Sequence, residues 1–233
     1  MVDAGSLKIL FACEESDEVR GRFEAMGFDA WSCDLQPSRN PKAKHLQCNA
    51  LDIINDGWHG LIGFPPCTHL AVSGTRHFPI KRKDGRQQQG IDFFMGLANA
   101  PIKHISLENP VGIMSTLYKK PTQIIQPYFF GDQARKTTCL WLKNFPKLFH
   151  NAEVDLFAQE TTHVSPGEFF EFINKKTGKK ERQPLWYAQA RRFGGGKGGN
   201  DYSRIRSKTF AGIAEAMAVQ WGEFLINSYS KPL

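Results

Sequence analysis

The stretch His59-Gly60-Leu61-Ile62-Gly63-Phe64-Pro65-Pro66-Cys67-Thr68 decides how this chain is read. His59 to Ile62 is a short, mostly apolar run that reads as a strand. Pro65 and Pro66 must end it, because neither prolyl nitrogen can donate a ladder bond. Cys67 is therefore held on a stiff turn just past a strand end, where open α/β sheets place reactive groups. Taken alone, a single cysteine is more often a small buried hydrophobe. A second run, Lys103-His104-Ile105-Ser106-Leu107, changes that balance. It too ends in a polar group beside a proline, Glu108-Asn109-Pro110. A thiol and a carboxylate at the carboxyl ends of two strands can face one pocket.

Upstream, Leu7 to Ala12 reads as a buried first strand, followed by Cys13-Glu14-Glu15-Ser16. Val19, Phe23 and Met26 then share one helical face, and Gly27 reads as the helix stop. Asp29 to Cys33 forms a second strand ending at Asp34, and His45 to Asn49 a third. An acid at the end of strand two can accept both ribose hydroxyls of a nucleotide-type ligand, or can simply cap the next turn. The first loop lacks GxGxxG, which disfavours a dinucleotide and leaves room for a ligand with ribose and adenine but no phosphate, such as S-adenosylmethionine.

Downstream, Leu70 to Gln89 is polar and basic, and reads equally as a mobile lid touching substrate phosphate or as a surface loop. A helix from about Gln87 to Asn99 carries Ile91, Phe94, Met95 and Ala98 on one stripe. Gln123 to Phe130 and Thr137 to Leu142 read as two more strands around the turn Gly131 to Lys136. Glu168 to Ile173 and Arg182 to Tyr187 flank the basic tip Lys175 to Lys180, a hairpin pattern. A closing helix from about Lys208 to Leu225 has an apolar stripe of Phe210, Ile213, Ala214, Met217, Trp221 and Leu225. The alternation of strand and helix through residue 107 predicts a mostly parallel sheet with helices on both faces.

With 233 residues and 41% hydrophobic content, the chain can bury a core and reads as one domain with an elaboration. No apolar run approaches the roughly 18 residues of a membrane span. The N-terminus shows no secretory pattern, and five irregularly placed cysteines (13, 33, 48, 67 and 139) suit a reducing cytoplasm. The net charge of +7 is local: between Lys175 and Lys208 eleven Lys and Arg stand against Glu181 and Asp201. Trp186, Tyr187, Phe193 and Tyr202 interleave with them around Gly194-Gly195-Gly196-Lys197-Gly198-Gly199. Basic, aromatic and flexible together point to a polyanion partner, most simply nucleic acid.

Pro66-Cys67 and Glu108-Asn109-Pro110, with thiol and carboxylate 41 positions apart, resemble the two catalytic motifs of the DNA cytosine-5 methyltransferases. Gln133-Ala134-Arg135 resembles that family's Gln-x-Arg-x-Arg motif, although Thr137 stands at its second arginine, and Ser207 to Trp221 resembles its closing motif. The resemblance covers roughly residues 7–142 and 203–226. It implies a Rossmann-like, class I S-adenosylmethionine-dependent α/β fold: residues 1–142 plus 203–233 as catalytic domain, and 143–202 as a small basic insertion for target recognition. It implies Cys67 as nucleophile, with Glu108 and Arg135 holding a flipped cytosine. It implies S-adenosylmethionine bound by Phe11, Ala12, Cys13, Glu14, Asp34, Leu35, Asn49, Ala50, Pro65 and Thr209, with no metal. Asn49 stands where the family usually has an aspartate. DNA would be held by Lys81–Arg86, Lys175–Arg192 and Gly194–Lys208, by a monomer similar to compact bacteriophage enzymes, with short or relaxed specificity. A free cytosine nucleotide or RNA as substrate, and a non-catalytic binding role, are the competing readings. Arg76, His77 and Arg135 are the candidates for activating Cys67.

Overall fold

The structure, a computed structural model, describes residues 2–152, 161–193 and 200–230. The run Gly194 to Gly199, with Lys197, lies outside them. The chain divides into two compact units. The first comprises Met1–Ile125, Thr137–Phe149 and Ala214–Leu233, the second Gln126–Lys136 and His150–Ile213.

The elements in chain order are β1 (Lys8–Ala12), α1 (Arg20–Ala25), β2 (Asp29–Asp34), β3 (His45–Gln47), β4 (Gly60–Gly63), α2 (Phe78–Lys83), α3 (Arg86–Ala98), β5 (His104–Pro110), α4 (Met114–Leu117), β6 (Gln123–Ile125), β7 (Thr138–Lys143), β8 (Phe169–Ile173), β9 (Lys180–Pro184), α5 (Leu185–Phe193), α6 (Asn200–Ser207), α7 (Ala211–Ala216) and α8 (Gly222–Ser230). The first unit holds a seven-stranded sheet in the order β3-β2-β1-β4-β5-β7-β6. β3, β2, β1, β4 and β5 run parallel, and β7 is antiparallel to both its neighbours. This is a mostly parallel, Rossmann-like α/β sheet, the class that the sequence predicts.

β1 shows why both faces are covered. Successive side chains of a strand point to opposite faces, and a strand apolar at every position must find cover on each. Leu10 and Ala12 join the core that contains Phe94 and Leu97 of α3. Phe11 faces the other way, with its ring 5.0 Å from that of Phe23 on α1. The C-terminal helix covers the same side as α1: a side chain at Gly222 would meet Met26 Cε at 2.8 Å. A π-helical segment, Met217–Trp221, links α7 to α8, and the fully buried Trp221 donates to the Pro146 carbonyl at 2.9 Å. Ala214, Met217, Trp221 and Leu225 are all buried, as their spacing predicts.

α1 ends at Gly27, which takes φ +89°. The Gly27 amide donates to Glu24 O at 2.9 Å and the Phe28 amide to Phe23 O at 3.1 Å, while the Phe23 and Phe28 rings pack 5.4 Å apart. That is a Schellman stop with its hydrophobic contact. At the other end the Glu14 carboxylate accepts from the amides of Val19 (2.7 Å) and Arg20 (3.0 Å).

Three predicted segments differ. Leu70 to Gln89 is not an irregular loop: after a 3-10 stretch, Val72–His77, it is α2 and the start of α3. Of Gln123 to Phe130 only Gln123–Ile125 is strand; Pro127, without an amide hydrogen, opens a 3-10 turn over Pro127–Phe130. The second hairpin arm is Lys180–Pro184, and Pro184 ends it just before α5 begins at Leu185.

In the second unit β8 and β9 form a two-stranded antiparallel sheet. Trp186 of α5 donates to the Arg135 carbonyl at 2.9 Å, and the Gly212 amide to Asp132 Oδ2 at 2.7 Å. Any side chain at Gly212 would strike the Phe130 carbonyl oxygen, 1.8 Å from its β-carbon, so only glycine fits. Arg206 lays its guanidinium over Tyr187 (4.4 Å) and Tyr202 (5.2 Å). Phe129 stacks on both His150 and His163, which share a hydrogen bond of 2.9 Å.

Burial, more than offsetting the two amides it accepts, pushes the Glu14 carboxyl from its ordinary 4.5 up to about 7. The folded chain then binds more protons than the unfolded chain between those values, so stability falls as pH rises through that window. At about 1.4 kcal/mol per pH unit the full effect is about 3 kcal/mol. Urea unfolding at pH 4.5 and pH 7.5 should show that loss in wild type and not in Glu14→Gln; parallel behaviour of the two would contradict it.

Candidate active site

The strand order reverses between β1 and β4: β2 and β3 lie to one side, β5 to the other. In open α/β sheets ligands bind outside the carboxyl ends of the strands at such a switch point. Register makes those ends level. Ala12 pairs with both Cys33 and Gly63, and Gly63 pairs with Leu107. Cys13, Asp34, Phe64 and Glu108 each follow a member of that row, so three predicted residues, and the start of the Phe64–Thr68 stretch, leave the sheet at one edge.

Past this edge, two loops are tied together by hydrogen bonds. Asn109, 1% exposed, donates its side-chain amide to the Pro65 carbonyl at 2.7 Å. Val72 N donates to Val111 O at 3.0 Å, and Ile113 N to Leu70 O at 3.0 Å. The two backbones approach so closely that a side chain at Gly112 would lie 2.5 Å from the Leu70 carbonyl oxygen. Between those ties Cys67 O accepts from Leu70 N (3.0 Å) and Ala71 N (2.9 Å), closing one helical turn with Cys67 at its start. Cys67, on the turn so held, and Glu108, in β5 next to Asn109, are both half-buried.

The remaining carbonyls of the turn are taken by α2 and α3. Lys81, 9% exposed, donates its ammonium to Thr68 O, and Gln87, 4% exposed, its amide to His69 O at 3.1 Å. Arg82 Nε donates to Gln87 Oε1 at 3.0 Å. The segment read as a lid thus turns part of its basic character inward and braces the cysteine turn. Residues predicted to touch substrate phosphate divide accordingly: Lys81 faces the protein, and Arg86 pairs with Asp84 at 2.5 Å. Arg76 Nε donates to His77 Nε2 at 2.8 Å.

Burial pushes the thiols of Cys13, Cys33, Cys48 and Cys139 away from ionisation. Cys33 rises to about 12, and Cys139 to about 11 with the neighbouring Glu108 carboxylate adding to the effect. Cys13 and Cys48 are raised by the same cause. A buried thiol held protonated is a poor nucleophile.

Most of the residues assigned to the cofactor belong to β1, to β2 and to the segments that follow β1, β2 and β3, with Pro65 on the cysteine turn. Phe11, Ala12, Ala50 and Pro65 are buried. Cys13 adopts φ +62°, a left-handed conformation that shapes the loop where a glycine would be usual. Asp34 Oδ1 accepts from Gln36 N at 2.8 Å, so the carboxylate caps its own turn. Burial holds the Asp34 carboxyl above its ordinary value. Leu35 is 69% exposed beside it. Exposed Asn49 accepts from Leu51 N at 3.0 Å through Oδ1, so it caps the short turn that follows β3. An acid, an exposed apolar side chain and an exposed amide in this order fit ribose hydroxyls and an adenine ring. The Glu14 carboxylate accepts the two amides at the start of α1.

Arg135 and Thr209 belong to the second unit. The Arg135 guanidinium lies over the rings of Phe169 (5.0 Å) and Tyr128 (5.8 Å). The sequence reading missed the supporting roles of Asn109, Gly112, Lys81 and Gln87. Asn109 and Gly112 carried a signal, a polar residue and a glycine flanking a strand-ending proline.

No family model matches the chain, and no curated protein matches it in sequence. Among solved structures, a crystal structure of a candidate DNA modification methyltransferase encoded within a prophage of E. coli matches at 17% identity and a TM-score of 0.39. The match covers 59% of this chain and 46% of that one, so it spans less than half of that protein's length.

Removing the Asn109 amide leaves the buried Pro65 carbonyl without its partner, a loss of about 1–3 kcal/mol. Asn109→Ala should lower urea stability by that amount and speed hydrogen exchange at the Val72 and Ile113 amides. Gly112→Ala should do the same through the clash with Leu70. Unchanged exchange at both amides would show that the loops are held by something else.

Proposed function

We propose that this protein transfers a methyl group from S-adenosylmethionine to carbon 5 of cytosine in DNA, through a covalent adduct on Cys67. The observation that carries this reading is the joining of the two strand-end loops by the Asn109–Pro65 bond and its two backbone neighbours, which gives Cys67 and Glu108 one shared frame. The residue pattern of the two loops supplies the chemistry.

Carbon 5 of cytosine is a weak nucleophile, so the ring must first be activated. The Cys67 thiolate adds to carbon 6, forming a C–S bond and making carbon 5 enamine-like. Glu108 holds the ring nitrogen and exocyclic amine as charge builds there. Bound S-adenosylmethionine supplies the electrophilic methyl group. A base then takes the proton from carbon 5, the ring double bond re-forms, and the C–S electron pair returns to sulfur, freeing Cys67. Asp34, Leu35 and Asn49 are the residues that would hold the ribose and adenine. A base inside a duplex cannot reach a thiol, so the target must leave the stack, and the basic segments would hold the backbone meanwhile.

The test is incubation with methyl-labelled S-adenosylmethionine and, separately, duplex DNA, single-stranded DNA, RNA and dCMP. Label on cytosine carbon 5 of DNA, abolished in Cys67→Ala and reduced at least about 100-fold in Glu108→Gln, is the expected result. Label on RNA or dCMP alone would move the substrate. Cofactor binding without transfer to any of the four would overturn the enzymatic reading.

A further inference from the structure

We propose that the face of β8 carrying Phe170 and Phe172 is a stacking surface for unpaired bases of a single-stranded nucleic acid. This extends the nucleic-acid side of the proposed function, and it concerns the second unit alone.

β8 reads Phe169-Phe170-Glu171-Phe172-Ile173 and pairs only with β9 among the described residues. With a period of two, Phe170 and Phe172 share one face. Their rings lie 6.2 Å apart and within 17° of parallel, and Phe170 is 46% exposed. Phe169, on the other face, is engaged differently: the guanidiniums of Arg182 (4.7 Å) and Arg135 (5.0 Å) lie over its ring. Among the described residues, the rings on the Phe170 face have no such cover of cations.

The charge around these rings identifies the occupant. Lys175, Lys176 and Lys179 form an exposed tip where Gly178 takes φ +68°. Of the ribbon's two carboxylates, Glu171 pairs with Lys180 at 2.6 Å, while Glu181, across from Phe172 and held by the neutral Asn174 amide at 2.7 Å, keeps its charge against the three lysines of the tip. The surface therefore offers aromatic faces beside a net positive charge. Single strands are bound by that pairing, backbone to cations and bases to rings. A duplex offers only base edges in its grooves, because its base faces are stacked on one another.

The experiment is equilibrium binding of a fluorescein-labelled oligonucleotide of about 16 nucleotides, single-stranded or annealed, to the full chain at several salt concentrations. Wild type should bind the single strand at least tenfold tighter than the duplex at matched salt. The double substitution Phe170→Ala/Phe172→Ala should weaken single-strand binding by roughly 10- to 100-fold, leave duplex binding unchanged and keep the salt slope. Phe170→Trp, which preserves the fold and the ring, should bind like wild type and have its added fluorescence quenched by the single strand and not by the duplex. Preference for duplex, equal losses on both, an introduced indole left unquenched by the single strand, or a dimer that the double substitution dissociates would each overturn the proposal. Single-strand binding in a protein that transfers no methyl group would leave it standing while the catalytic reading falls.

Discussion

One buried hydrogen bond, from the Asn109 side chain to the Pro65 carbonyl, ties the turn that carries Cys67 to the end of the strand that carries Glu108. Two consecutive prolines remove two backbone donors from the turn that carries Cys67, so that turn cannot be held by continuing the β4–β5 ladder. A side-chain amide from the neighbouring strand end replaces what the ladder cannot provide. It is effective because Asn109 is almost fully buried, where an unmade hydrogen bond is expensive. Two backbone bonds and the close passage at Gly112 then carry the pairing on past the strand ends.

Around this frame the cysteine turn has little freedom. The carbonyls of Pro65, Cys67, Thr68, His69 and Leu70 all have partners, drawn from β5, from the turn itself, from α2 and α3, and from the loop after β5. A site held by groups that are themselves packed and bonded keeps its geometry better than one on an unsupported loop. That is the physical meaning of the inward-facing Lys81 and Gln87, buried polar side chains that would otherwise be costly.

Much of this was legible in the sequence, and the reasons differ by element. β1, β4 and β5 announce themselves because each is apolar and ends abruptly, at Cys13, at Pro65 and at Pro110. Gly27 and the Trp221 stripe were readable because helix stops and helical spacing are local properties. The bracing of the turn was not readable, since nothing in Lys81-Arg82-Lys83 says which lysine points inward; that depends on where the Thr68 carbonyl lies. Pro127 could have shortened the predicted strand at Gln123–Phe130, being a residue that seldom sits inside a ladder. Asp34 ends β2 as expected, whereas β3 stops at Gln47, two residues before Asn49, and each of the two caps its own turn. Such a bond is invisible until the backbone is placed.

The most direct measurement is a covalent trap. The protein is incubated with S-adenosylmethionine and an oligonucleotide containing 5-fluorocytosine, in which the proton that must leave carbon 5 is replaced by fluorine, and the adduct is mapped by peptide mass spectrometry. A stable cross-link on Cys67, weakened by Glu108→Gln, is the expected outcome. No cross-link, or one on any other cysteine, would contradict the claim that the two joined loops form one reacting site.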